Sequence, residues 1–420
     1  MKPSRRPLSD SSLPLLAAGY AWLPSRLRRA GAPVVRARLL GRHTVALHGP
    51  EAVRFFYDER HVRRGGALPE PVRGTLFGKG GVHGLDGQAH RARKAMFLSL
   101  LADEEQLTAL AGRVAAAWDR SVASWPERER VVLFDEAGRI ITEGVCGWAG
   151  IPQDEGDVAP VARDLLAMVD GFATAGPRHW RARRARGRQE RRLARLVNDV
   201  RAGTAGPGAA PAGTAADVVA RHRDVDGRPL TPGVAAVELL NFIRPAAAVS
   251  WFVAYAAHAL HRRPEYRARL CEGDPDHVGA FVHEVRRFYP FAPFVGGRAV
   301  TDVSWRGHPV PAGALVLLDV YGQHHDEGLW ADPYRFRPER FLDRPPRGDE
   351  LVPQGGGPLE TGHRCPGEAA TVRLLKALVP RLARLDYRVP PQDLTISLRR
   401  IPARPRSGFV IVGVRPPADG

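Results

Sequence analysis

The sequence contains few cysteines, and their small, odd number excludes a disulfide framework. Cys146 lies in an apolar stretch and is interpreted as a small core residue. Cys271 ends a helix-like run before a glycine, and we interpret it as structural too. Cys365 alone follows a glycine-rich loop, so it is the cysteine for which we expect a chemical role.

Long hydrophobic runs are also lacking. No segment has ~18 consecutive apolar residues, so we expect no stable membrane insertion. The polar, basic residues 1–10 and the short apolar run at 13–18 do not have the form of a secretory signal. We therefore expect a cytoplasmic protein.

The sequence has no acidic, serine-rich or glutamine-rich linker that would divide it. We therefore expect residues 1–420 to form a single domain. The segment at about 203–216 is rich in glycine, proline and alanine, and it is predicted to be a flexible surface loop between helices.

Lysine is scarce, whereas arginine is abundant. Lysine and arginine together number 62 against 45 acidic residues, which gives a formal net charge of +17. A GC-rich coding genome would produce this bias without any functional demand. The alternative is a basic face for nucleic acid, acidic lipid or an anionic substrate.

The densest run of arginines covers residues 178–195 and has helical spacing. We expect its buried side to contain Trp180, Leu193, Leu196 and Val197. Without interleaved aromatic residues or a known binding motif, the run is interpreted as a solvated helix face, and no nucleic-acid partner is expected.

Helical periodicity dominates the chain, and strand patterns are short and late. Helices are predicted over residues 88–125, 157–173, 180–200, 231–261, 276–289 and 368–385. Strands are predicted at residues 294–300, 303–305, 308–310, 314–318, 395–398 and 409–414. The fold class is therefore mainly α with a small β region.

A glycine-rich loop at residues 355–362 leads directly to Cys365. Pro366 suits the first position of the helix that follows. A thiol at a helix N-terminus faces unpaired N–H groups and the positive end of the dipole, and His363 and Arg364 add positive charge. We therefore expect a lowered thiol pKa and a thiolate, the strong electron-donating axial ligand of an iron porphyrin. The alternative is a free cysteine in a surface turn.

A second pattern precedes this loop. Glu284 and Arg287 lie three residues apart on one predicted helix face and can pair, and Arg340 supplies a second guanidinium downstream. Their order, followed by His363-x-Cys365 and a glycine two residues later, resembles the cytochrome P450 superfamily. The resemblance covers essentially the whole chain. It implies the cytochrome P450 fold, a structural triad of the Glu and two Arg, and heme b (iron protoporphyrin IX) bound through the cysteine.

The same resemblance implies partners for the haem propionates. His90 and Lys94 lie four residues apart, which places them on one helix face. They resemble a His and a basic residue that hold a propionate in this family. His363 resembles the other propionate partner, and Arg64 is a further candidate. For each residue the alternative is an exposed basic side chain.

The central predicted helix lacks the acid–alcohol pair with which oxygen-activating family members protonate dioxygen. Within residues 241–250, Arg244 and Pro245 take its place. Pro245 should kink the helix and open a groove over the haem. A buried guanidinium needs a carboxylate, so we expect Arg244 to bind an anionic substrate such as a fatty acid. The alternative is an internal pair with Glu238 or with another internal acid.

This pattern, together with residues 75–87 and 176–180, resembles the fatty-acid peroxygenase branch of the superfamily. The resemblance implies that the carboxylate of a long-chain fatty acid binds Arg244 and acts as general base toward hydrogen peroxide. The anchored acid is then hydroxylated at Cα or Cβ. No NAD(P)H, reductase or other obligatory redox partner is implied.

His83 is a candidate for influencing which product is formed from the fatty acid. It resembles the residue of branch members that decarboxylate fatty acids to terminal alkenes, and it could donate a proton or a hydrogen bond. The alternative is a turn residue in a glycine-flanked loop. We expect Phe77 to pack beside His83, whereas Phe172 and Phe291 are candidates for lining the acyl channel or are ordinary core residues.

Two other functions stay open. One is a conventional oxygen-dependent monooxygenase that receives electrons from a ferredoxin docked on the arginine-rich face, although the missing acid–alcohol pair argues against it. The other is a nucleic-acid-binding or haem-sensing protein without catalytic activity.

Overall fold

The computed structural model describes residues 9–206 and 208–415, and its described residues are mainly helical with a small β part, as predicted. The helices are α1 (Ser12–Ala18), α2 (Trp22–Ala30), α3 (Pro50–Phe56), α4 (Glu70–Leu76), α5 (Gly87–Leu101), α6 (Glu104–Ala123), α7 (Leu133–Trp148), α8 (Glu155–Asp170), α9 (Pro177–Ala202), α10 (Ala215–Arg221), α11 (Pro232–Ala247), α12 (Val249–Arg262), α13 (Tyr266–Glu272), α14 (Pro275–Phe288), α15 (Val320–His324) and α16 (Glu368–Arg384). The strands are β1 (Val34–Leu39), β2 (Arg42–Leu47), β3 (Val62–Arg63), β4 (Val131–Val132), β5 (Phe294–Ala299), β6 (Val303–Trp305), β7 (His308–Val310), β8 (Leu315–Asp319), β9 (Asp386–Arg388) and β10 (Val410–Arg415).

The run predicted as one helix over 88–125 is two helices, α5 and α6. The side chain of Asp103 accepts a hydrogen bond from the Gln106 amide over 2.8 Å and caps the N-terminus of α6. Such a cap satisfies an N–H group that has no partner within the helix, so a new helix begins there despite the continuous apolar pattern.

The predicted central helix is also divided, into α11 and α12. Thr231 caps α11, and Pro232 takes the first helical position, where its missing N–H costs nothing. Pro245 lies inside α11, and the interruption falls three residues later, at Ala248. The segment Pro232–Arg262 is long and apolar enough to cross a membrane, but 89% of an apolar 18-residue stretch within it is buried inside the protein.

α11 and α12 form the centre of the helical part. α11 packs against α7, α8 and α9, whereas α12 packs against α7, α14 and α16. Trp251 and Tyr255 of α12 are completely buried. The central position of the two helices explains why most of their residues are apolar and buried.

α9 contains the arginine-rich run, and one part of its predicted buried side is wrong. Leu193 and Val197 are buried and Leu196 is partly buried, whereas Trp180 is 58% exposed. At about 100° per residue, Trp180 lies roughly 220° around the helix from Leu193, on the opposite face. The described residues 203–206 and 208–214, between α9 and α10, contain no helix or strand, as expected for a loop.

The largest sheet joins distant parts of the chain in the order β1-β2-β8-β5-β3. β2 and β8 run parallel, with Thr44 opposite Leu315. A three-stranded sheet has the order β4-β10-β9, and β6 and β7 form a hairpin.

The strand predicted at 395–398 is wrong, because only an isolated bridge between Ile396 and Pro405 occurs there. The side chain of Asp393 accepts from the Thr395 amide over 2.9 Å, and the Ser397 hydroxyl accepts from the Arg399 amide over 3.3 Å. These local bonds compete with a strand ladder for the same backbone groups.

Candidate active site

Cys365 lies in the connection that precedes α16. Its amide donates to the carbonyl of Gln354 over 3.0 Å. α16 begins at Glu368, with Gly367 as its N-cap in a non-helical conformation. Pro366 therefore precedes the helix and does not occupy its first position, which corrects the expectation from the sequence.

The cysteine loop is tied to helices on two sides. Lys94 of α5 is only 1% exposed and donates to the carbonyl of Gly362 and, over 2.7 Å, to that of Arg364. From α14, Arg286 donates to Glu368 at the start of α16. These contacts fix the backbone on both sides of the thiol.

The thiol pKa is raised, although the sequence predicted that it is lowered. Burial has the largest effect on the pKa of Cys365, and it outweighs the Gly367 amide and the charges of Lys94 and Arg244, which act in the opposite direction. The expected help from His363 is missing because burial lowers the pKa of its imidazole and keeps it neutral. Burial therefore opposes the thiolate, whereas a cation at the sulfur favours it.

Behind the loop lies the predicted group of Glu284, Arg287 and Arg340. Both carboxylate oxygens of Glu284 accept from Arg287, over 2.8 and 2.7 Å, and the Arg340 Nε lies 3.2 Å from the same carboxylate. Arg287 also donates to the carbonyls of His324 and Pro333 over 2.6 and 2.9 Å. The buried charges are thus paired, and they join α14 to the segment after α15.

Two of the predicted propionate partners, His90 and His363, stack on each other with their ring centroids 3.8 Å apart. His90 Nδ1 and His363 Nε2 have no hydrogen-bond partner among the described residues. The nearest acidic oxygens belong to Glu59 and Asp86, at 3.6 to 3.9 Å. Burial is the main reason that the pKa of His90 falls to about 3, so its ring is neutral.

Arg64, the further candidate, lies near this His pair. Its amide donates to Asp86 over 2.8 Å, and its guanidinium donates to the Gly296 carbonyl over 2.5 Å. The guanidinium carbon also lies 4.4 Å from the centroid of the Phe56 ring. The site therefore contains two neutral imidazoles and one held cation.

On the other side of the site, Phe77 contacts three of the predicted residues. Its ring centroid lies 4.6 Å from that of His83 and 5.5 Å from that of Phe172. The guanidinium carbon of Arg244 lies 6.0 Å from the same ring. Phe291 instead packs against Phe252, at a centroid distance of 4.9 Å.

His83 has an exposed surface, yet its pKa is lowered well below the ordinary value. Burial among protein atoms is the main cause, and the positive charge of Arg244 adds to it. The imidazole is therefore neutral at physiological pH.

Arg244 is a buried cation without an acidic partner in the part of the chain that the structure describes. It is 4% exposed, donates to the side-chain oxygen of Asn241 over 3.1 Å, and leaves Nε without a partner. Burial and the nearby Arg186 lower its pKa to about 9, so the guanidinium stays protonated at neutral pH. Burying a charge in this way is costly unless a partner arrives.

Glu238 is not that partner. Its carboxylate accepts from Arg93 over 2.6 Å, from the Val82 amide over 2.8 Å and from the Asn241 amide group over 2.8 Å. An ion pair between Arg244 and Glu238, which the sequence left open as an alternative, is therefore excluded.

Comparisons with known proteins identify the family. The family model for Cytochrome P450 matches residues 277–402. Among curated proteins, cytochrome P450 4e5, mitochondrial, of Drosophila mettleri is 28% identical over 193 residues, which are 41% of this chain and 36% of that protein. The chain thus spans about a third or less of the first curated relatives that it matches.

Solved structures are similar over nearly the whole length of both chains. Cytochrome P450SP alpha (CYP152B1) in complex with (R)-ibuprophen is 42% identical, with a TM-score of 0.93 over 97% of this chain and 99% of that chain. A single-residue variant of cytochrome P450 OleT in complex with arachidonic acid is 35% identical, with a TM-score of 0.93 over 99% of this chain and 100% of that chain. The chain belongs to the cytochrome P450 family. Within it, this cytochrome P450 is an oxidoreductase of the fatty-acid peroxygenase branch.

The family implies haem-thiolate iron, and the residues of this cytochrome P450 fit that group. Cys365 offers a half-buried thiol. His90 Nδ1 and His363 Nε2 are buried nitrogens without partners among the described residues, which suits them to hydrogen-bond a carboxylate.

Four neighbours of Arg244 were missed or misjudged from the sequence, namely Glu238, Asn241, Arg93 and the Val82 amide. Glu238, Asn241 and Arg244 follow one another at intervals of three along α11, and this spacing could have revealed their shared helix face. Arg93 and the Val82 amide join them only through tertiary contacts, for which the sequence carries no local signal.

Proposed function

We propose that this cytochrome P450 is a haem-thiolate peroxygenase that uses hydrogen peroxide to hydroxylate long-chain fatty acids at Cα or Cβ. Oxidative decarboxylation to a terminal alkene is its second product channel. Its cofactor is heme b, and it needs no obligatory redox partner. We propose a cytoplasmic location without stable membrane insertion.

The unpaired charge of Arg244 is the observation that carries the proposal. A buried guanidinium without an acid in the described residues favours a ligand that brings its own carboxylate. The neighbouring rings of Phe77 and Phe172 suit an aliphatic chain attached to that carboxylate. Both bound molecules in the similar structures, arachidonic acid and ibuprofen, are carboxylic acids.

The bound acid also completes the chemistry that the protein lacks. Residues 241–250 contain no carboxylate. We therefore assign the role of general base toward hydrogen peroxide to the carboxylate held by Arg244. Because the head group is anchored, the carbons next to it are the ones presented for oxidation. Bound haem supplies the oxidising chemistry, with the Cys365 thiolate donating electron density to the iron.

His83 has a second role in this scheme. Its neutral imidazole can donate or accept a hydrogen bond near the head group, and Phe77 holds the ring in place. Pro245 shapes the groove by removing one helical N–H, and Phe291 contributes to the wall of the acyl channel further along.

We assign the propionates to His90, His363 and Arg64. The first two offer unpartnered ring nitrogens, and the third brings a nearby positive charge. Lys94 supports the cofactor through the cysteine loop, whose carbonyls it binds.

The deciding experiment incubates the haem-loaded enzyme with a saturated long-chain fatty acid and hydrogen peroxide, without any reductase. Mass spectrometry should find α- or β-hydroxy acids, with or without a terminal alkene. If peroxide supports no turnover while ferredoxin, its reductase and NAD(P)H do, the chain is a conventional monooxygenase and the proposal fails.

A further inference from the structure

Glu238 joins the two residues that the proposed function places next to the substrate head group. The side chain is completely buried. One oxygen accepts from the Val82 amide, directly before His83, and the other accepts from Asn241, which in turn binds Arg244. Glu238, Asn241 and Arg244 lie on α11, whereas Val82 and His83 lie in the connection between α4 and α5.

We propose that Glu238 is a positioning residue that sets the place of both His83 and Arg244. This inference rests on the proposed function for the roles of those two residues. It does not require Glu238 to touch the substrate. The carboxylate acts through one backbone amide on one side and one side-chain amide on the other.

The loop that carries His83 needs such an anchor. Gly78, Gly80 and Gly81 give it little side-chain packing of its own, and two of these glycines have positive φ angles of 80° and 74°. Arg186 of α9 holds the loop at its start by donating to the Leu76 carbonyl over 2.7 Å. The bond from Val82 to Glu238 holds the other end, next to His83.

The second connection fixes the direction of the Asn241 amide. A carboxylate can only accept, so Asn241 must present its NH2 group to Glu238. Its oxygen is thereby left for Arg244, at 3.1 Å. Glu238 thus determines which end of the amide the guanidinium meets.

Arg93 keeps Glu238 in this role. Its guanidinium is 2% exposed and binds both Glu238 and Asp224. Because Glu238 is already paired with Arg93, it does not neutralise Arg244. The free charge of Arg244 is therefore maintained by an ion pair whose acid lies six residues, nearly two helix turns, away on α11.

The test uses Glu238→Gln in the haem-loaded enzyme. The new side-chain NH2 group faces the NH2 group of Asn241, so the Asn241 amide turns over and points its donors at Arg244. We expect the apparent Kd for a long-chain fatty acid, measured by the shift of the Soret band, to rise about tenfold. The ratio of alkene to hydroxy acid should change as well, because the Val82 anchor is weakened.

Two comparison variants separate the connection of Glu238 to Arg244 from its connection to His83. Asn241→Ala removes the amide that links Glu238 to Arg244 and leaves the bond from Val82 to Glu238 in place, so it should weaken binding to a similar extent and leave the product ratio unchanged. Asp164→Asn is the matched control, since Asp164 is also a buried carboxylate with Arg and Gln partners, Arg188 and Gln189. It should change neither readout.

A crystal structure of the Glu238→Gln holoenzyme gives a readout that does not depend on turnover. A displaced Arg244 guanidinium supports the inference. Unchanged Arg244 and loop positions, or wild-type binding and product ratio, overturn it while the proposed function stands. If the wild-type enzyme turns over no fatty acid, the proposed function fails, and the crystal structure still decides whether Glu238 positions the two residues.

Discussion

Arg244 and Phe77 lie next to each other, with the guanidinium carbon 6.0 Å from the centroid of the aromatic ring. The ring faces the cation but cannot neutralise it, since a cation–π contact of this length is a weak partner for a buried charge. The unbalanced charge of Arg244 is therefore the feature from which the first prediction is drawn.

Arg244→Ala should lower kcat/KM for fatty acids at least about 100-fold, because a buried charge pair with the substrate is lost. The haem content should stay at the wild-type level, since among the described residues Arg244 makes its side-chain hydrogen bond to Asn241 and none to the cysteine loop. Product formation with peroxide measures the first effect, and the absorption spectrum measures the second. Arg181→Ala, on the exposed surface of α9, is the control. Wild-type turnover in Arg244→Ala would contradict the anchoring role.

His83→Gln should reduce the alkene fraction of the products. Glutamine keeps hydrogen-bonding groups but lacks the basic ring nitrogen with which the neutral imidazole can accept a proton. Gas chromatography of alkene against hydroxy acid measures the ratio. Phe172→Leu, which alters the neighbouring wall and retains the imidazole, is the control. An unchanged ratio in His83→Gln would remove this residue from the choice between products.

Cys365→Ser should abolish the red-shifted Soret band of the reduced carbonyl adduct, because a serine hydroxyl does not replace the thiolate as a strong electron donor to iron. Cys271→Ser is the matched control, as Cys271 lies at the end of α13, away from the cysteine loop. A red-shifted band that survives in Cys365→Ser, or vanishes in Cys271→Ser, would mean that the ligand has been misassigned.

Glu284→Gln should lower the free energy of unfolding by about 3–5 kcal/mol, because it leaves the buried charges of Arg287 and Arg340 without their anion. Urea unfolding of the haem-loaded protein measures the change. Glu104→Gln removes the acid of an exposed pair with Arg373, and its effect should stay within about 1 kcal/mol. If the two variants lower the free energy of unfolding equally, the group of Glu284, Arg287 and Arg340 does not have the structural role that we assign to it.

The pH dependence of stability should depend on His48. Burial alone lowers the pKa of His48, but the hydrogen bonds that its ring donates to the carboxylates of Asp319 and Asp326 outweigh burial and raise the pKa to about 9. A raised pKa stabilises the fold fully below the ordinary value of 6.5, and this contribution disappears as the pH rises through about 9. The wild-type protein should therefore lose at most roughly 3 kcal/mol over that interval. His48→Gln should flatten the curve, and parallel curves in urea titrations would refute the assignment.

Elements that local signals define were predicted well from the sequence. The predicted helix at 276–289 is α14, Pro275–Phe288, and the predicted helix at 368–385 is α16, Glu368–Arg384. Both have a clear apolar periodicity, which depends only on neighbours three and four residues away. The division between α5 and α6 was missed because the cap at Asp103 interrupts the backbone without interrupting the apolar pattern.

The candidate site was predicted only in part. Residue spacing and the family resemblance identified Cys365, Arg244 and His83 as candidate site residues. The roles assigned to them stay predictions. The predicted direction of the pKa shift of the Cys365 thiol was wrong. Burial has the largest effect on this pKa, and the depth at which a loop is buried cannot be read from its sequence. The contacts of Glu238 with Arg93 and Val82 bridge 145 and 156 positions of the chain, a separation that no local pattern reports.

The parallel pairing of β2 with β8 has a consequence for synthesis of the protein. β1, β2 and β3 are translated early, whereas their neighbours β8 and β5 emerge from the ribosome more than 200 residues later. Until then, β2 and β3 expose unpaired backbone edges, which are sites for pairing with another nascent chain. We therefore expect the unfinished polypeptide to be the form most dependent on chaperones.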